Sequence, residues 1–277
     1  MKNVLLPIAA TAGLIAALVV PAQAANLVQN GSFESNGGVG QVGGSSAVST
    51  LSNWTVGSTT DSAPYPFTFV LDGSADSTGF NSPFGTIRIW GPNTPTGISS
   101  GPGSNPDPHS VGPVANGFTT SPDGGYFFGA DAAYANASIS QTINGLNIGD
   151  TYTLSFSYAG AQFTDALGPN SEGWHVTFGG DSVDTSTLNN ASEGFTGWQS
   201  FSTTFTASSG SQALTFLATG GPSGLPPFAL LDGVSLTDTT TPPPTNPSDT
   251  PEPGSMGLAI SGLLGALGFA RRMKNRS

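Results

Sequence analysis

The segment Thr151–Tyr158 (TYTLSFSY) decides the fold class, because its side chains alternate between apolar and polar with a period of two. One face carries Tyr152, Leu154, Phe156 and Tyr158, and the other carries only Thr and Ser. A turn-forming run, NIGD at 147–150, comes directly before it. Alternation of this kind is typical of a strand with one buried and one solvated face.

Nine other short segments combine β-branched or aromatic residues with flanking clusters of Gly, Asn, Asp and Ser. These predicted strands lie near Trp54–Val56, Phe67–Leu71, Thr86–Trp90, Tyr126–Gly129, Ala137–Ile143, Trp174–Phe178, Gln199–Phe205, Ala213–Thr219 and Phe228–Leu236. No stretch of about a dozen residues in this region carries an amphipathic helical stripe. We therefore expect residues 25–238 to form an all-β antiparallel sandwich or barrel.

A long insertion interrupts this region between Gly91 and Pro122, where Gly, Pro, Ser and Asn dominate. A structureless segment of that length inside a compact domain is either functional or disordered. We expect a flexible insertion, and contact with a ligand or a second subunit is the alternative.

The charge distribution excludes a nucleic-acid ligand. The chain of 277 residues has 6 Lys and Arg against 17 Asp and Glu, and Arg88 is the single cation between residues 25 and 250. Sixteen acids share that interval, giving a formal charge of −15. Such a surface repels phosphate backbones.

The absence of Cys restricts both the chemistry and the means of stabilisation. Thiol catalysis and thiolate metal sites are excluded. An exported domain without disulfides must bury its own core, and about 215 residues are enough for that.

The N-terminus is typical of a secretory signal peptide. Lys2 supplies the positive charge, Val4–Val20 the apolar segment, and Ala22–Ala24 (AQA) the small residues of a cleavage site. We expect residues 1–24 to form a signal helix that signal peptidase removes. An uncleaved N-terminal anchor is the alternative.

The C-terminus has three parts in a fixed order, after a Pro/Thr-rich linker at 239–250. Pro251, Glu252 and Pro253 form a rigid polar motif, residues 256–270 are apolar, and residues 271–276 are basic. The apolar part is shorter than the roughly 20 residues of a stable membrane span. The basic end would stay cytoplasmic by the positive-inside rule.

Residues 251–277 resemble a PEP-CTERM sorting signal. That resemblance implies recognition by an exosortase-type membrane peptidase, with Pro251, Glu252, Pro253, Arg271 and Arg272 as the sorting motif. It further implies a short hydrophobic helix at 256–270 that holds the chain in the inner membrane before processing, and then release or attachment at the cell surface. An ordinary single-span anchor is the alternative.

The predicted mature start, NLVQNGSFE at 26–34, resembles the opening of galactose-binding-like jelly rolls, which include many carbohydrate-binding modules. Residues 138–143 (SISQTI), 149–154 (GDTYTL) and 231–236 (LDGVSL) fit the same resemblance. It implies a jelly-roll sandwich and glycan binding.

The same resemblance implies a structural calcium ion held by Glu34 and Asp232. Strand parity places Asp232 on the same face as Val234 and Leu236, which predicts an inward carboxylate that needs a partner. The alternative is that both acids cap turns or accept backbone N–H bonds.

Aromatic side chains are the expected sugar contacts, because their faces stack on the C–H faces of sugars. The candidate aromatic residues for sugar contact are Trp54, Trp90, Trp174, Trp198, Tyr65, Tyr126 and Tyr134. Large aromatics also dominate sandwich cores. Trp90, beside the insertion, and Trp174, beside the loop 163–173, are the two predicted ligand contacts.

Catalysis has little support in the sequence. His109 lies in the insertion, His175 lies in a predicted strand, and no Ser has a G-x-S-x-G setting. Glu172 and Glu193 could flank a glycosidic bond only if the fold brought them together.

The sequence therefore predicts an exported, exosortase-processed protein of the cell surface or of an extracellular polysaccharide matrix such as a biofilm. Its sandwich is expected to bind carbohydrate without catalysis. A structural or adhesive matrix protein with no small ligand, and a glycan-active hydrolase, are the alternatives.

Overall fold

The computed structural model describes residues 24–240, apart from residues 46, 62, 79–86, 100–109 and 165. The described residues form strands, turns and bends but no helix. The strands are β1 (Gly40–Gln41), β2 (Thr55–Thr59), β3 (Thr68–Asp72), β4 (Ile98–Ser99), β5 (Ser110–Val111), β6 (Tyr126–Asp131), β7 (Ala137–Asn144), β8 (Thr151–Gln162), β9 (Asn170–Phe178), β10 (Asp181–Asp184), β11 (Leu188–Asn190), β12 (Gln199–Thr206), β13 (Ser211–Gly221) and β14 (Pro227–Asp238).

Two antiparallel sheets form a sandwich, which confirms the predicted fold class. The first sheet has the order β1-β3-β6-β14-β8-β12. The second has the order β10-β9-β13-β7-β2, and β11 also pairs with β9. Strands distant in sequence lie side by side in both sheets, as in a jelly roll, and β4 and β5 form a separate small ladder.

Strand β8 bears out the alternation from which it was predicted. Its side chains at 152, 154, 156 and 158 are buried between the sheets, whereas those at 151, 153, 155 and 157 are only half-buried. The strand pairs with β12 on one side and with β14 on the other. It therefore lies inside the first sheet and not at its edge.

The main core lies between the two sheets. Fully buried aromatic side chains fill it, among them Trp174 and Phe178 from β9, Phe216 from β13 and Phe128 from β6. Burial of each large apolar side chain contributes on the order of 1.5–3 kcal/mol. This core stabilises the domain without disulfides.

A second core covers the opposite face of the first sheet. Phe69 of β3, Phe127 of β6 and Phe228 of β14 lie in it, together with Ile87 and Ile89. The predicted strand at 86–90 is wrong over its described residues: Ile89 forms only an isolated bridge with Phe163. The Ile89 N–H donates to Ala75 O and the Trp90 N–H donates to Gln162 O. No single strand therefore pairs with this segment along its length.

The last part of the long insertion is attached to the sandwich. The Asn116 side-chain amide donates to the carbonyl oxygens of Trp90 and Glu193, both at 2.9 Å. The Phe118 ring packs edge-on against Phe195 with centroids 5.3 Å apart. Residues 100–109 of the predicted flexible insertion lie outside the described residues.

The two ends of the sandwich lie side by side. Leu27 N donates to Leu236 O at 2.9 Å, and the Asn26 side chain accepts from Leu236 N at the same distance. The predicted signal peptide, all but the first two residues of the linker, and the sorting tail concern residues outside the described part. Among the described residues, no helix is long and apolar enough to cross a membrane.

Candidate functional site

Asp232 lies at a β-bulge in β14. The register shifts between Asp232 and Ser235, and Leu231 and Val234 both point into the core between the sheets. The parity predicted for Asp232 is therefore wrong, because the carboxylate shares a face with Leu230 in the second core. Gly233 adopts φ 61°, a conformation that favours glycine and permits the bulge.

The Asp232 carboxylate is fully buried, as predicted, and neither of its oxygens makes a hydrogen bond of normal geometry. Its pKa is raised to about 7, mainly by burial, and the charges of Asp123 and Glu34 act in the same direction. The Ser121 hydroxyl and the Gly233 N–H approach the carboxylate and lower the pKa in part. Asp232 thus carries unsatisfied acceptors beside two further acids.

Glu34 lies close enough to Asp232 to influence its charge, but it is exposed. Its Oε1 accepts the N–H of Tyr126 at 2.7 Å. The Glu34 carboxylate packs against Gly125, and a Cβ at that position would overlap it. Among the described residues, no group of three or more His, Cys, Asp or Glu side chains is arranged to hold a metal ion.

The two tryptophans predicted to contact a ligand are core residues. Trp174 is fully buried between the sheets, and its indole N–H donates to Leu230 O at 3.0 Å. Trp90 is 2% exposed and donates to Ala166 O at 3.3 Å. Burial leaves neither ring face open for stacking on a sugar.

Tyr134 is the exposed aromatic side chain of the described part of the chain, with 47% of its surface accessible. Its hydroxyl lies 3.2 Å from the hydroxyl of Tyr65, and its ring packs edge-on against Phe67. Tyr65 lines a depression of about 440 Å³ at the β2 edge of the second sheet. Its other lining residues are Gly44, Val56, Gly57, Ser58, Thr59, Ala63, Pro64 and Pro66.

Two carboxylates fix the turn that presents Tyr134. Asp131 Oδ1 accepts the N–H groups of Ala133 and Tyr134 at 2.8 and 3.1 Å. Asp61 Oδ2 accepts the N–H of Ala135 at 2.8 Å, and this bond is the main cause of its lowered pKa. The turn is held before any ligand arrives, which reduces the entropy cost of binding.

Tyr65 is uncharged at neutral pH. The hydrogen bond with Tyr134 raises the pKa of Tyr65 to about 12, and burial contributes in the same direction. The pair offers hydroxyl groups and ring faces. These are the groups that contact sugars.

A second polar group lies between the sheets at the start of β9. Glu172 is fully buried beside Gly160 of β8, and neither carboxylate oxygen makes a hydrogen bond of normal geometry. Burial raises its pKa to about 9, the approach of the Asn190 side chain lowers it in part, and the charge of Asp131 raises it. Asn170, two residues earlier, also has an unpartnered Oδ1.

The residues weighed for catalysis do not form a constellation. His175 pairs with Asp184 on the exposed outer face at 2.6 Å, and His109 lies outside the described residues. Glu172 is buried in the sandwich. Glu193 is half-buried, and its backbone N–H donates to the Gln162 side chain at 2.7 Å.

No protein-family model matches the chain, and no curated protein is similar to it in sequence. Among solved structures, TmCBM61 in complex with beta-1,4-galactotriose has a TM-score of 0.38 and 14% identity over 78% of this chain and 99% of that one. A CBM4 structure has a TM-score of 0.32 and 15% identity over 76% and 98%. The enzymatically active domain of bacteriophage CBA120 tailspike protein 4 has a TM-score of 0.32 and 13% identity over 77% and 21%. The fold assignment rests on the strand pairing, to which likeness at this level adds nothing.

Sequence reasoning included Tyr65 and Tyr134 among its aromatic residues but did not single them out. Tyr65 and Tyr134 are 69 positions apart, in the segments before β3 and after β6, so only the pairing of β3 with β6 shows their proximity. Tyr134 does stand in a run of small residues, ADAAYANA at 130–137. A lone aromatic among small side chains between two strands was the available signal.

Proposed function

We propose that the sandwich binds carbohydrate, without catalysis, at the depression lined by Tyr65, whose hydroxyl meets that of Tyr134. The exposed Tyr134 ring beside this depression is the observation that carries the proposal. A ring face stacks on the C–H face of a sugar, and the hydroxyls of the tyrosine pair, Ser58 and Thr59 satisfy sugar hydroxyls.

Replacement of Tyr134 by Ala tests the site. We expect Tyr134→Ala to weaken the affinity for the glycan that the unaltered chain binds most tightly by about tenfold or more. Loss of an aromatic contact of about 1.4 kcal/mol corresponds to that factor. The measurement is a glycan array on the full chain, followed by affinity electrophoresis in the glycan that binds. Ile148→Ala, at an exposed apolar residue in another turn, is the matched control.

The array also separates this proposal from a structural matrix role. A full chain that binds no glycan, with or without calcium, would remove the carbohydrate proposal and favour a spacing or adhesive protein. Equal binding by Tyr134→Ala and the unaltered chain would leave glycan binding but contradict this site. Hydrolysis of a bound glycan would contradict the non-catalytic role.

We also propose that Glu34 and Asp232 hold a structural calcium ion, with Asp123 nearby. The unpartnered and fully buried Asp232 oxygens support this, since Ca²⁺ is bound by carboxylate oxygens. The charges of Glu34 and Asp123 already act on Asp232. Bound calcium would join the N-terminal segment to β14 and neutralise these acids.

The melting temperature of the full chain in Ca²⁺ and in EGTA tests this ion. We expect a higher value in Ca²⁺, and a smaller difference in Asp232→Asn. An Asp232→Asn chain with an undiminished calcium response would contradict the assignment to Asp232.

The export route is a proposal as well. We expect signal peptidase to remove residues 1–24 and an exosortase-type peptidase to process the chain near Pro251. The protein would then reach the cell surface or an extracellular polysaccharide matrix. The intact mass of the protein isolated from cells tests both cuts separately, and retention of residues 251–277 would contradict the second.

A further inference from the structure

The inward face of β9 changes its chemistry along its length. Trp174, Val176 and Phe178 are buried in the apolar core, and Glu172 and Asn170 continue the same face with polar groups. Successive inward residues lie about 7 Å apart along a strand. The buried carboxylate of Glu172 therefore lies about 7 Å along the strand from the fully buried Trp174.

Three oxygens at this end of the sandwich are buried and have no hydrogen-bond partner: Oε1 and Oε2 of Glu172, and Oδ1 of Asn170. The Asn170 amide nitrogen donates to the carbonyl oxygens of Leu225 and Pro226, at 3.4 and 3.2 Å. These bonds fix the amide plane and so fix the direction of its oxygen. Unsatisfied acceptors of this kind are costly in a folded protein.

In the part of the chain that the structure describes, no Lys or Arg neutralises these oxygens. Arg88 is the one Lys or Arg between residues 25 and 250, and the charges that act on Glu172 include Asp131 but not Arg88. A depression of about 520 Å³ opens to solvent beside the buried group, and Asn170, Ser171 and Asn190 are among the residues that line it. The depression therefore reaches Asn170, two residues before the buried carboxylate of Glu172.

We infer that Glu172 and Asn170 form a second cation site, separate from Glu34 and Asp232, which takes a calcium ion between the sheets. The donors are a carboxylate and an amide oxygen, and Ca²⁺ binds such oxygens in irregular geometry with water completing its six to eight ligands. Mg²⁺ fits less well, because it demands near-ideal octahedral geometry. The absence of a side chain at Gly160 leaves room for the Glu172 carboxylate.

The number of bound calcium ions per chain tests the site. We expect equilibrium dialysis of the full chain to show one Ca²⁺ fewer in Glu172→Gln than in the unaltered chain, and a smaller rise of the melting temperature in Ca²⁺. Asp181→Asn removes one charge from an exposed residue of β10 and serves as the matched control. Equal stoichiometry in Glu172→Gln and the unaltered chain would overturn the inference.

A second measurement does not depend on the folding of Glu172→Gln. Tb³⁺ replaces Ca²⁺ and emits when a nearby tryptophan is excited, and Trp174 lies one step along the strand from Glu172. In the Asp232→Asn chain, where the other proposed calcium site is impaired, we expect tryptophan-excited Tb³⁺ emission to persist and excess Ca²⁺ to quench it. The inference would be overturned if neither the Asp232→Asn chain nor the unaltered chain showed this emission.

Discussion

Strand β9 passes from one kind of interior to another. At Trp174, Val176 and Phe178 the sandwich is filled by close-packed apolar side chains, and at Glu172 and Asn170 the same face carries buried polar groups. Both regions are buried, but only the first has every buried group in contact with a suitable partner. The indole N–H of Trp174 donates to Leu230 O, whereas both oxygens of Glu172 are unpaired.

The difference shows that burial serves two purposes in this sandwich. Apolar burial stabilises the fold by removing hydrocarbon from water. Burial of a carboxylate opposes folding unless a proton or a cation neutralises it. The contribution of the apolar end to stability therefore does not depend on protonation, whereas that of the polar end depends on pH and on available ions.

Removal of Trp174 should have the largest effect. Trp174→Ala leaves a large cavity between the sheets and removes the indole hydrogen bond to Leu230 O. We expect the free energy of unfolding to fall by about 3–5 kcal/mol. Chemical denaturation of the full chain gives this value. Trp174→Phe, which retains most of the volume, should lose less, and equal losses would show that packing is not the main cause.

A smaller effect should follow from pH, and it should come from the polar end. Below about pH 4.5 Glu172 is protonated in both the folded and the unfolded chain. As pH rises, the unfolded chain ionises first while burial keeps the folded carboxyl protonated up to about 9, so stability falls through this window. The slope should be at most about 1.4 kcal/mol per pH unit for one group.

Melting temperatures in EGTA between about pH 5 and about pH 9 measure this dependence. Asp131 and Asp232, whose pKa values burial raises to about 7, contribute in the same direction at the lower end. Glu172→Gln should flatten the curve above pH 7, because only Glu172 among these three still titrates there. An unchanged curve in that variant would contradict the assignment.

The contact between Gly160 and Glu172 should have a moderate effect. In Gly160→Ala the new Cβ would overlap Glu172 Oε2 and lie 3.1 Å from Thr196 Cγ2. We expect a loss of about 1–3 kcal/mol, as in other overpacked interiors. Gly180→Ala is the matched control, because a Cβ there meets nothing within 4 Å, and it should change the unfolding free energy little.

The apolar end of β9 was predictable from the sequence, and the polar end was not. Alternation along 174–178 predicts the strand, but Trp174 was predicted as a ligand contact. Its shared parity with Val176 and Phe178 was the available signal for a buried side chain. The same parity extends to Glu172, but a charged residue there suggests an exposed strand end. Only the pairing of β9 with both β13 and β11 shows that the end is covered.

The candidate sites were likewise only partly predictable from the sequence. The sequence identified Asp232 as buried, but it could not predict the bulge that reverses its face, although Gly233 within a strand was the available signal. Tyr134 was one aromatic among seven because exposure depends on neighbours from distant strands. Residue type predicts which chemistry is present, and the topology decides which groups meet.

The outer face of β9 provides the smallest effect and completes the contrast with its interior. His175 lies between the inward residues Trp174 and Val176, yet it faces solvent and pairs with Asp184 across the β9–β10 ladder. An exposed side-chain pair of this kind contributes about 0–1 kcal/mol, because water competes for both groups. His175→Ala should therefore change the unfolding free energy by no more than this. A loss as large as that of Trp174→Ala would contradict the exposure of this face, because it would mean that His175 is packed against another part of the protein.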